Sequence, residues 1–193
     1  MLTLPRKKFA IEEYHQIIAS GVLKEDYLIE LINGEIFEMS PVGFRHASCV
    51  NRLNQLLSLK LGNKTIISVQ NPIKLNNNSE PQPDIVLLKP RNDFYGNQHP
   101  TVEDIFLLIE VADSSIEYDP EGICYAARSF KIPIYAENKV QEVWLVDLNQ
   151  NLLEVYQNPK KKYYQNIKKL SSEDVVTLSQ PETITIRLDR ILF

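Results

Sequence analysis

Two runs constrain this chain more than any others: "PQPDIVLLKP" at residues 81–90 and "IFLLIEVADSS" at 105–115. Both are strongly apolar, bounded by proline or polar residues, and read as strands. Each carries a single carboxylate, Asp84 near the start of the first and Glu110 towards the end of the second. A buried, unpaired carboxylate is costly. Either each acid has its own partner, or the two serve a common purpose.

The rest of the chain is divided by its punctuation. "TLPRKKFAIEEYHQIIASG" reads as a helix with Thr3 as a cap and Gly21 after the last turn. Two β-rich runs flank Asn33-Gly34, a strong hairpin signal. Val50, Leu53, Leu56, Leu57 and Leu61 fall near helical spacing before Gly62, which predicts a second helix. "TIISVQNPIKL" reads as a strand bent at Pro72, and "NNNSEPQP" as a polar turn. Beyond Glu110, "ICYAARSFKIPIYAENK" has helical character but holds Pro133, which should bend or break it. Strands follow in "VQEVWLVDL", "LLEVYQ", "KKYYQNIKKL" and "ETITIRLDRIL", with a hairpin at Asn158-Pro159. There is no internal repeat and no long linker. The pattern predicts one domain over residues 1–193, an α/β or α+β fold around one mixed sheet.

Composition narrows the classes. With 193 residues, 44% of them hydrophobic, the chain can bury a sizeable core. No apolar run approaches the roughly 20 residues that span a bilayer, and the basic N-terminus lacks the apolar stretch of a signal peptide. Cys49 and Cys124 stand alone, without the spacing of a zinc site, as expected of reduced thiols in a cytoplasmic protein. The net charge of −4 gives the chain as a whole no attraction for nucleic acid.

If the strands holding Asp84 and Glu110 are neighbours, the two carboxylates meet at one edge of the sheet. Two close carboxylates repel unless a cation lies between them. A hard divalent ion, Mg²⁺ or Mn²⁺, suits such oxygen ligands. It would polarise a phosphoryl oxygen and acidify a bound water, and a nearby lysine would stabilise charge or orient that water. Pattern alone leaves a second reading open, in which each acid caps a strand and faces solvent.

Several stretches carry a resemblance: "YLIELINGEIFEMSP", "RHASCVNRLNQLL", "PQPDIVLL", "LLIEVADSSIEYD" and "KIPIYAENKVQEVWLVDL". Together they resemble, in order, the Uma-two family of endonucleases, abundant in cyanobacteria, within the PD-(D/E)XK restriction-endonuclease-like superfamily. The resemblance implies a restriction-endonuclease-like mixed central sheet flanked by helices, with an N-terminal β-hairpin. It implies hydrolysis of phosphodiester bonds, with Mg²⁺ or Mn²⁺ as cofactor and DNA as the expected nucleic-acid partner. Asp84 matches the acid of the PD pair and Glu110 the second acid, and both are implied as metal ligands. The superfamily's lysine normally follows that glutamate by two residues, where this chain has Ala112. The resemblance moves the role to Lys131 on the following helix. It also points to Glu30, Glu35 and His46.

One departure matters. Residues 120–130, "PEGICYAARSF", look like an insertion of about eight residues just before Lys131, tolerable for folding because loop-closure entropy grows slowly with length. Register in an active site is less forgiving. Lys131 should still reach the acids if Tyr135, Val140 and Trp144 anchor its segment by burial, each contributing roughly 1.5–3 kcal/mol.

Other residues keep plainer readings beside these. Lys131 alone would pass for a solvated helix lysine, and Glu30 and Glu35 for solvent-facing hairpin residues. His46 could simply begin its helix. His15 and His99 have no partner in the pattern and read as surface residues. Asp113, Ser114 and Ser115 read as caps or as the mouth of the site. "NPKKKYYQNIKK" is a basic run with aromatics, either a solvated hairpin or a phosphate grip. Three functional classes follow: a metal-dependent endonuclease, a catalytically impaired nucleic-acid-binding module on a nuclease fold, and a partner-binding protein. A nuclease cutting a symmetric duplex on both strands is expected to work as a homodimer.

Overall fold

The two apolar runs lie side by side in the middle of a six-stranded sheet of order β3-β4-β5-β6-β7-β8. These strands are β3 (Ile66–Val69), β4 (Ile85–Leu88), β5 (Ile105–Ala112), β6 (Glu142–Asp147), β7 (Leu152–Lys160) and β8 (Tyr163–Leu170). The computed structural model describes residues 6–22, 28–39, 41–113 and 127–192. β4 and β5 are antiparallel, with Ile85 opposite Ile109 and Leu87 opposite Leu107. β5 and β6 are the parallel pair of this mixed sheet. Parallel neighbours need a crossover, and helix α3 (Ala127–Glu137) lies between them in the chain.

Strand alternation splits the core into two layers. On one face Ile85, Leu87, Ile109, Trp144 and Val146 pack with helix α2 (Phe44–Leu61). Its buried side is Cys49, Val50, Leu53, Leu57 and Leu61, the helical spacing read from the sequence with Leu56 at the margin. On the other face Val86, Leu108, Val143 and Leu145 pack with Ile132, Tyr135 and Ala136 of α3. Cys49 is a buried free thiol, pushed up to about 12 by burial and then by the Asp84 charge, so it stays a thiol. Cys124 lies outside the described residues.

The N-terminal hairpin forms as its sequence predicts, from β1 (Ile29–Ile32) and β2 (Glu35–Glu38). Asn33 and Gly34 have φ of 50° and 76°, the left-handed pair that a two-residue hairpin turn demands. Gly34 is fixed twice over, because a Cβ there would stand 2.8 Å from the Lys8 Cβ.

Several expected boundaries move. The first helix, α1 (Ile11–Ala19), starts later than the sequence reading, and Arg6–Ala10 do not join it. That segment instead docks on the hairpin and the next turn: Phe9 N–H donates to Gly34 O and Ile11 N–H to Asn77 O, both at 2.9 Å. β3 ends before Pro72, at Val69, and Gln70 with φ 52° turns the chain away. The "NNNSEP" turn forms as read, at residues 77–78, and the Ser79 and Glu80 that follow are buried, with the Glu80 N–H donating to Leu31 O. α3 continues through Pro133, where the burial of Ile132, Ile134, Tyr135 and Ala136 offsets the missing backbone donor. β7 runs past Asn158-Pro159 to Lys160, so the hairpin turns three residues later, at Lys161. A small sheet of β9 (Val175–Leu178) and β10 (Ile184–Arg187) adds a strand that the pattern did not announce.

Of the residues 120–130, 120–126 lie outside the described residues, and Ala127–Phe130 begin α3. Ser114, Ser115 and Asp119 also lie outside. The expected anchors are buried, Tyr135 and Trp144 fully so and Val140 nearly. They hold opposite layers, Tyr135 and Val140 on the α3 side and Trp144 on the α2 side.

Candidate active site

Asp84 precedes β4 by one residue. Carrying the β4–β5 register one step on from Ile85 and Ile109 sets it opposite Glu110. Directly opposed residues in an antiparallel pair share a face. Asp84 then reaches both layers. Its Oδ2 accepts the Val111 N–H at 2.8 Å, and its Oδ1 lies 3.0 Å from His46 Nε2 in the first turn of α2. Gln70 Nε2 donates to the same Oδ1 at 3.4 Å.

Glu110 points to the α3 side. Its Oε1 accepts from Tyr135 Oη at 2.5 Å and lies 3.4 Å from Lys131 Nζ. The Lys131 ammonium is shared, with Glu30 Oε2 at 3.2 Å and the Gln82 carbonyl at 3.5 Å. Glu30 comes from β1 and is held in turn by the Gln82 N–H at 3.1 Å. Five separate segments of the chain thus deliver Asp84, Glu110, Lys131, Glu30 and His46 to one cluster. Ala112, where the common lysine would stand, only closes the strand, its carbonyl accepting the Leu148 N–H.

The electrostatics follow from three acids in one buried place. Burial, then the neighbouring Asp84 and Glu30 charges, push Glu110 up to about 7, although Lys131 and Tyr135 pull the other way. Burial works against the Lys131 ammonium, but Glu110, Glu30 and Asp84 more than offset it and keep it protonated. Burial likewise opposes the charged form of His46, and the bond to Asp84 outweighs it, raising His46 above its ordinary value. Tyr135 is raised well above the usual phenol range by burial and by Glu110, so it donates and does not ionise.

A match to the family described as "Putative restriction endonuclease", Uma2, covers residues 11–189. The chain belongs to that family. Among solved structures it is similar to one described as a putative nuclease from Anabaena variabilis, at a TM-score of 0.67 and 14% identity, over 95% of this chain and 97% of that one. At that identity the likeness is one of fold, and it bears out the expected central sheet flanked by helices. No curated protein matches the chain.

The Uma2 chain keeps one expected residue away from the cluster. Glu35 faces the N-terminal segment, 2.7 Å from Lys8 Nζ and 3.9 Å from Arg6. Asp113 pairs with Arg45 at 3.5 Å, next to His46. The basic run is structural in part, since Tyr164 Oη donates to Val140 O and Lys169 pairs with the buried Glu154. Sequence reasoning missed Gln82 and Gln70, and took Tyr135 for an anchor only. Gln82 had a usable signal: a polar residue locked between two prolines, two positions before Asp84. His15 and His99, read as partnerless, both converge on Glu80.

Proposed function

We propose that this chain is a metal-dependent endonuclease that hydrolyses phosphodiester bonds of DNA. The observation that carries the reading is Lys131 lying 3.4 Å from Glu110, on a different element from the usual lysine. The donor set fits a hard divalent ion. Asp84 and Glu110 offer carboxylate oxygens, and two carboxylates plus waters is an ordinary share for Mg²⁺. Glu110, raised to about 7 by burial and by nearby acids, is a group whose ionised form a cation would favour.

Mg²⁺ or Mn²⁺ held by Asp84 and Glu110 would supply phosphoryl polarisation and a more acidic bound water. The protein's own groups do the rest. His46 and the Val111 N–H fix the Asp84 carboxylate from two sides. Tyr135 fixes one oxygen of Glu110. Lys131, held between Glu30 and Glu110, presents a permanent positive charge for the phosphate and for the charge that develops as water attacks. Arg45 adds a partly exposed cation beside His46.

In this reading the compartment is the cytoplasm. Among the described residues no helix is long and apolar enough to cross a membrane. On a two-fold symmetric duplex, a homodimer would place one copy of the site at each strand.

The test is cleavage of supercoiled plasmid by the full chain with Mg²⁺, Mn²⁺ or EDTA, beside Asp84→Asn. Nicking or linearisation that needs the metal and vanishes in the variant is expected. Salt-dependent DNA binding with no cleavage under any metal would instead establish an impaired binding module.

A further inference from the structure

We infer that His15, Glu80 and His99 form a second metal site, selective for a borderline transition ion of the Zn²⁺ type and separate from the carboxylate pair. Their ligand atoms all lie within 4.8 Å of one another, and among the described residues they are the group of three that does so. His15 Nε2 lies 2.7 Å from Glu80 Oε1, and the His15 and His99 ring centroids are 6.3 Å apart.

The backbone supports of the three residues are independent. His15 is on α1, where its neighbour Tyr14 is buried and donates to Ile29 O at 3.0 Å. Glu80 is 4% exposed and its N–H donates to Leu31 O at 2.7 Å. His99 precedes Pro100, whose carbonyl accepts the Lys74 N–H at 2.8 Å. A single ion pair would need only one imidazole for the buried carboxylate. Two imidazoles converge on it, from segments 84 residues apart (99 − 15).

The geometry closes with small motions. Zinc bonds of ~2.0–2.2 Å at the tetrahedral angle put donor atoms about 3.3 Å apart. The His15–Glu80 pair, at 2.7 Å, must open slightly, and a pair at the 4.8 Å limit would close by about 1.5 Å. Glu80 is held by burial, whereas both imidazoles are exposed, with room to adjust. Their exposure also leaves the remaining position to water. The nitrogen donors decide the metal, because imidazole suits Zn²⁺, Cu²⁺ and Ni²⁺, whereas Mg²⁺ prefers oxygen alone. An ion there would clamp α1 and the 89–104 connection onto the segment that leads into Asp84.

The experiment uses the full chain and its Asp84→Asn form, in which the proposed Mg²⁺ site is damaged. Zn²⁺ is added, excess is removed by gel filtration, and bound metal is counted by mass spectrometry with a parallel thermal melt. One retained Zn²⁺ per chain in both forms is expected, with a rise in Tm. Affinity should fall at least tenfold in His15→Ala and in His99→Ala, each shown to be folded by its metal-free melt, and the Tm rise should vanish. Equal retention by these two variants overturns the proposal. So does retention that depends on Asp84, or no retention at all. Because Asp84→Asn is expected to bind, the result is independent of whether the chain cuts DNA.

Discussion

Glu110 and Glu154 stand in one row across the sheet, with Leu145 between them. Both are buried, and both have a tyrosine hydroxyl and a lysine ammonium as partners. Glu110 has Tyr135 and Lys131, whereas Glu154 has Tyr156 and Lys169, the latter at 2.8 Å. The residue types are the same and the settings are opposite. Lys169 is a wet cation, 59% exposed, whereas the Lys131 side chain is 13% exposed and shared with Glu30. Glu110 also faces Asp84, where the chain enters the sheet. A buried glutamate with a matched, solvated lysine closes a hairpin. A buried glutamate among more acids than its lysine can neutralise is left with unmet negative charge, and that excess is what a divalent ion can offset.

Four measurements would break or sharpen this contrast. The largest effect is expected from paired variants in the plasmid assay. Glu110→Gln should lose roughly a thousandfold or more, the scale of several kcal/mol of lost charge stabilisation. Glu154→Gln should keep its rate, and similar losses in both would erase the distinction. Next, Lys131→Met should lower cleavage by roughly 10²–10³-fold, the usual cost of removing one preorganised group. Lys169→Met should leave the rate alone.

The third effect is on stability against pH. Glu110 is raised in the fold from about 4.5 to about 7, so its protonated form is the one the fold favours. Its contribution is fully present below about pH 4.5 and is lost as pH rises through about 7. Thermal melts should therefore show Mg²⁺ raising Tm most above pH 7, where the carboxylate is free to bind it, and doing so little in Glu110→Gln. A Mg²⁺ effect that is flat with pH, or intact in the variant, would contradict the assignment. The smallest effect is Lys169→Ala, whose exposed ammonium should cost about 1 kcal/mol or less. For a chain of this size that is a Tm drop of about 2–4 °C, and a much larger drop would mean that the Glu154 pair is as tightly built as the Glu110 cluster.

Much of this was legible because the signals were local. Asn33-Gly34 announced its turn, the heptad-like leucines announced α2, and the lone acids in apolar runs announced Asp84 and Glu110. Lys131 was legible only through resemblance, since nothing within its own helix marks it as different from a solvated lysine. The misses share a cause: tertiary contact overrode a local rule. Arg6–Ala10 leave the helix because Gly34 lets the chain lie against the hairpin. Pro133 stays in a helix because a buried layer holds it there. β9 is a four-residue strand whose buried positions, Val176 and Leu178, gain meaning only from β10 and the α2-side core. His15, Glu80 and His99 have no spacing to read, because three separate backbone pairings bring them together.

The five residues from Glu80 to Asp84 join the two clusters. Pro81 and Pro83 fix two of the intervening φ angles, the Pro81 carbonyl accepts the Ile73 N–H at 3.0 Å, and Gln82 is tied to Ile29 and Glu30. Four residue steps span at most about 14 Å. The stretch therefore acts as a ruler of fixed length, with an acid mounted at either end. Pro83→Gly should soften it, seen as faster amide exchange at Asp84 and Ile85, and unchanged exchange there would mean the stiffness lies elsewhere. A stiff ruler converts position at one end into position at the other, so whatever seats Glu80 also sets where the Asp84 carboxylate stands.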